Sequence, residues 1–70
     1  MNIIEVIDEN DNKITCEFMK IIKNDSLNKT YVVYKDKEDI LVSQLIEVDN
    51  NYQILPVLDN ERDFIEKNLD

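Results

Sequence analysis

The chain has 70 residues, 16 of them acidic and 8 basic, for a net charge of −8 at neutral pH. It has no His, no Gly, no Trp and a single Cys. That composition excludes an imidazole base or ligand, a glycine loop around a phosphate or dinucleotide, and a disulfide or closed zinc site within the chain.

Residues 3–8 (Ile-Ile-Glu-Val-Ile-Asp) are rich in β-branched side chains and read as a strand. Residues 9–12 are turn chemistry, and residues 13–21 alternate apolar and polar as a half-buried strand does. A three-residue loop with Asp11 in the left-handed region pairs residues whose numbers sum to 20. Ile4 then faces Cys16 and Val6 faces Ile14, with Phe18 continuing the apolar face. A slip of one residue would put Glu5 on that face, so burial selects this register.

Residues 22–29 form a polar connection around Asn24, Asp25 and Ser26. Residues 30–34 (Thr-Tyr-Val-Val-Tyr) are a strong strand, and 35–38 a charged turn. In residues 40–48, Ile40, Val42, Ile46 and Val48 share parity but Gln44 interrupts, which predicts a bulge near Ser43 and Gln44. A turn at 49–51 leads to a last strand at 52–57, where Pro56 marks an edge or an exit. From Asp59 the spacing changes. Asp59 or Asn60 caps a helix, Glu61 and Asp63 lie in its first turn, and Phe64, Ile65 and Leu69 recur on one face.

These elements predict one α+β domain over residues 1–70: an antiparallel meander of about five short strands with one C-terminal helix. The expected core is Ile4, Val6, Ile14, Cys16 and Phe18, with Phe64 and Leu69 closing over it from the helix. Apolar residues make up 43% of the chain, enough for a folded domain. Residues 30–34 carry no proline and no charge. If they lie at an edge, that edge is unprotected and invites a weak symmetric homodimer.

The hairpin Ile4-x-Val6-Ile7-Asp8-Glu9 followed by Asn12-x-Ile14, and later Ile54-x-Pro56-Val57-x-Asp59-x-Glu61 ahead of a short acidic helix, resemble the small acidic bacterial proteins grouped as domain of unknown function 1292. The similarity runs from about Ile3 to Leu69. Members of that family commonly have Asp-Gly at the first turn, where this chain has Asn10 and Asp11. The resemblance implies a cytosolic bacterial protein, typical of Gram-positive lineages. It brings no catalytic or binding residues with it.

Candidate sites are few. Asp8-x-Asn10-x-Asn12 has the opening spacing of a calcium loop, but Lys13 and Met19 occupy the positions for its Gly and bidentate Glu. A hairpin turn rich in Asx residues explains the spacing. Cys16 shares parity with Ile14 and Phe18, so it is expected in the core as a small hydrophobe, without a His to activate it. Ser26 and Ser43 lack a base. No catalytic, metal or cofactor residues are therefore assigned.

Tyr31, Tyr34 and Tyr52 remain as a candidate interaction surface, because tyrosine is enriched at interfaces. Tyr31 and Tyr34 fall on opposite faces of one strand, so at least one is expected to be partly exposed. Elimination leads to a non-catalytic cytosolic protein-interaction module that uses a sheet edge or an acidic face, with a protein partner of basic character. The second reading is an acidic regulator of a nucleic-acid enzyme, competing for its basic groove. The charge opposes direct binding to nucleic acid. No stretch approaches the ~20 apolar residues of a membrane helix. The start Met1-Asn2-Ile3-Ile4-Glu5 lacks the basic region of a secretion leader.

Overall fold

A computed structural model describes residues 2–69. Five strands follow one another: β1 (Ile3–Ile7), β2 (Lys13–Asn24), β3 (Lys29–Asp36), β4 (Asp39–Val48) and β5 (Asn51–Leu55). A 3-10 turn (Asp59–Glu61) runs directly into a short helix, α1 (Arg62–Lys67). The α+β class therefore stands in its coarse form. No described helix is long and apolar enough to cross a membrane.

The first hairpin has the expected register. Ile4 pairs with Cys16, Glu5 with Thr15 and Val6 with Ile14, and Asp11 adopts φ 64°. The turn compensates for its missing glycine through Asp8. The Asp8 Oδ1 atom accepts the backbone N–H of Asn10 at 2.8 Å and of Asn12 at 2.9 Å. These bonds, the one from Asn12 N–H foremost, hold the Asp8 carboxyl below its ordinary range. Asp49 and Asn50, at φ 50° and 67°, make the two-residue turn between β4 and β5. Two successive left-handed residues give that turn the twist its strands require.

The open meander is corrected to a closed barrel in the order β1-β2-β3-β4-β5. In a five-strand meander the first and last strands point the same way, so closure brings β1 and β5 together in parallel, with Ile7 beside Gln53. The bend comes from β2. Its upper part pairs with β1 and its lower part with β3, and the register shifts between Phe18 and Lys20. One bulged residue there sharpens the twist and reverses which side chains point inward. The bulge expected at Ser43 and Gln44 is absent: β3 and β4 pair without interruption from Thr30–Leu45 to Asp36–Asp39.

The described residues form two apolar clusters where the sequence suggested one. Val6, Cys16, Val32, Tyr34 and Ile54 fill the barrel, flanked by Ile4, Ile14, Phe18 and Leu45. Ile22, Tyr31, Val33 and Ile65 form a second cluster on the outside, flanked by Val42, Val57 and Phe64. The helix thus covers the outer face of β2, β3 and β4. Phe64 packs there and not over the first hairpin, Ile65 is the buried anchor, and Leu69 is exposed. This also explains β4. Leu45 points into the barrel while Val42 packs under α1, so no single parity describes its buried side.

Strand β3 is the most buried element and pairs with β2 on one side and β4 on the other. The dimer edge expected at residues 30–34 is therefore not available. The supposed connection at 22–29 is shorter than expected, because Ile22 carries β2 on to Asn24 and packs under the helix.

Candidate functional site

The barrel is not paired along its whole circumference. Strand β5 reaches only from Asn51 to Leu55, and Leu55 lies opposite Gln44. Pro56 then removes a backbone donor and fixes its own φ, and the chain turns away toward α1. Residues 39–43 of β4 are consequently paired with β3 alone among the described residues. Successive strand residues aim their backbone groups alternately to the two sides. Part of this segment thus presents free ladder groups on the side that β5 has vacated.

A groove of about 500 Å³ opens beside those groups. It is lined by Ile40, Leu41 and Val42 of β4, by Pro56 and Val57, and by Ile65 and Leu69 of the helical segment together with the charged Arg62 and Glu66. Ile40 is 60% exposed, and Leu41 and Leu69 are exposed as well. Three large aliphatic side chains in contact with solvent along one groove are unlike the isolated apolar residues of an ordinary surface.

The groove exists because the helix is held at a fixed place. Six residues of α-helix cannot support themselves. They are anchored by Ile65 and by Glu61, which is 2% exposed. Glu61 Oε1 accepts from Lys29 Nζ and from Tyr31 Oη, both at 2.7 Å, and Oε2 accepts the Leu58 N–H at 3.0 Å. The carboxylate therefore ties β3 to the start of the helix and also satisfies an orphan donor of the turn. Lys29 foremost, then Tyr31, lower its pKa from 4.5 to about 2 against the opposing cost of burial. The Tyr31 hydroxyl moves the other way, raised first by burial and then by its bond to Glu61.

The residues singled out in the sequence are dispersed. Tyr31 is fully buried in the outer cluster and Tyr34 is buried in the barrel, where its hydroxyl lies 2.9 Å from Ser43 Oγ. They occupy opposite faces as expected, but each face is covered, so neither belongs to a surface. Tyr52 is 48% exposed and stands at the mouth of a separate apolar pocket lined by Ile4, Phe18 and Leu45. The three tyrosines do not converge. Cys16 is buried and free, and burial followed by the charge of Asp36 pushes its thiol up from the ordinary value. Among the described residues, no group of three or more His, Cys, Asp or Glu side chains is gathered to hold a metal ion.

Sequence reasoning missed Glu61, Ile40, Leu41 and Leu69 as site residues. Glu61 precedes Ile65 by one helical turn, so it shares the buried face, a signal that was legible. The exposure of Ile40 and Leu41 follows from where β5 stops, which alternation does not reveal. Comparisons with protein-family models, with curated proteins and with solved structures found no match.

Proposed function

We propose that this chain is a non-catalytic protein-interaction module of the bacterial cytosol, akin to the small acidic proteins it resembles, and that it binds through the open stretch of β4. The observation that carries this reading is the juxtaposition of unpaired strand backbone at residues 39–43 with an exposed apolar groove. Such an edge is a hazard unless something covers it. Native edges are blunted by charge, proline or bulges, whereas Ile40 and Leu41 offer aliphatic side chains.

A photo-crosslinker at position 40, compared with one at Glu9 on the first turn, tests the assignment. The position-40 probe is expected to capture a defined partner, and Ile40→Lys in the immobilised chain should abolish its retention. Equal capture from both positions, or retention unaffected by Ile40→Lys, refutes it.

A further inference from the structure

We infer that the occupant of the groove is an extended segment of a partner protein, apolar at alternate positions and basic at the end that lies beside residues 36–39. This rests on the reading of the groove as an interaction site and adds the chemistry of what fills it.

Four observations converge. The unpaired backbone of β4 asks for another strand, because only an extended chain repeats its donors and acceptors in phase with a ladder. The vacancy is collinear with β5, which Pro56 ends opposite Gln44, so an added strand would take the path β5 leaves. Five residues of β4 give it about 17 Å of ladder. The groove lies on the helix side, so every second side chain of the added strand turns toward Ile65 and Leu69, while those between turn away.

The fourth observation is charge, and it selects the partner. At one end of the open edge Asp36, Glu38 and Asp39 outnumber Lys37 and Lys35, the latter paired with Ile40. On the helix wall, Glu66 is exposed, and the charge of Arg62 is offset by Asp59 at 3.3 Å. A Lys or Arg at the matching end of the segment enters a favourable field, and an acid there is repelled. A second copy of the chain would offer the same edge but also the same charge of −8, so the field that attracts a basic segment opposes self-association. The contact is smaller than a standard interface, so binding is weak and reversible.

The test uses the isotopically labelled full chain and a panel of seven-residue peptides: Val-Thr-Val-Thr-Val followed by two Lys, which a strand antiparallel to β4, as β5 is, sets beside residues 36–39, with Ile, Leu or Phe replacing Val in turn. At least one is expected to shift the amide resonances of residues 39–43 and 62–69, and to bind about ten-fold more weakly once Glu replaces Lys. N-methylation of alternate peptide amides, which blocks the ladder, should abolish binding. So should Ile40→Lys; Leu69→Lys serves as the second variant should the first lose its fold. Shifts confined to another face, equal binding of the acidic peptides, or tolerance of N-methylation overturns the proposal. So does a dimer in sedimentation that Ile40→Lys dissolves, since the occupant is then a second copy. If the crosslinked partner is lost with Ile40→Lys while every basic peptide fails, the chemistry assigned to the occupant is wrong and the groove assignment survives. If neither depends on position 40, both fall.

Discussion

Replacing Lys29 with Met removes the counter-charge of a buried carboxylate and keeps most of the side-chain volume. In the native chain, the partners of Glu61 lower its pKa from 4.5 to about 2. At about 1.4 kcal/mol per unit, that preference for the charged form is worth roughly 3 kcal/mol in all. Lys29 is the largest contributor, but its side chain is 28% exposed, so water screens the pair and partly repays its loss. We therefore expect Lys29→Met to cost about 2 kcal/mol at neutral pH. For a domain of this size that lowers the melting temperature by roughly 8–16 °C.

The pH dependence separates this cause from lost packing. The folded carboxyl titrates below its unfolded value, so on acidification the unfolded chain takes up the proton first. The stability Glu61 supplies is complete above pH 4.5 and is lost as pH falls toward 2. Without Lys29 the folded pKa rises. The penalty of the variant should then be largest at neutral pH and fade toward pH 2. Urea denaturation followed by far-ultraviolet circular dichroism, at steps from pH 7 downward, measures both features. The double variant Lys29→Met with Glu61→Leu should recover part of the loss, since no charge is left buried. A single variant within about 0.5 kcal/mol of the native chain at pH 7, or a penalty that does not change with pH, refutes the assignment of Glu61 as the anchor.

Among the described residues, Lys37 is the one at positive φ that is neither Asp nor Asn, at φ 58°. Lys37→Gly should raise stability by about 0.5–1 kcal/mol, read as a higher urea midpoint; a decrease would mean that the lysine side chain contributes more than its backbone strain costs. Phe18 is only part-buried at the edge of the barrel core, so Phe18→Ala should cost about 2–3 kcal/mol, less than removal of a fully buried ring; a near-native melt would place Phe18 outside the core. Cys16 should resist a thiol reagent in the native chain and react at once in urea, because burial shields it and keeps it protonated; rapid native labelling would contradict that burial.

Local chemistry was legible where one interaction decides the outcome. The register of the first hairpin followed from keeping Glu5 out of the core, and the left-handed Asp11 followed from the loop length that this register needs. The start of the helical segment near Asp59 was visible in its change of period, but neither Asp59 nor Asn60 caps a helix: a 3-10 turn comes first and α1 begins only at Arg62. The strands were placed correctly to within a few residues, except that β2 runs on to Asn24.

What the sequence determined by itself is therefore the set of strands, the pairing of β1 with β2 and the terminal helix, because period, turn chemistry and burial of one face are properties of neighbouring residues. What the tertiary structure decided is the closure of the sheet, the second apolar cluster and the groove. Alternation says that a strand has a covered face but not what covers it. In β3, Tyr31 and Val33 read as outward until the helix is laid across them, and only then is Tyr31 a partner of Glu61 and not a surface residue. The open edge at residues 39–43 arises because β5 is shorter than β4 and Pro56 ends it, a mismatch between segments far apart in the chain that no local pattern encodes.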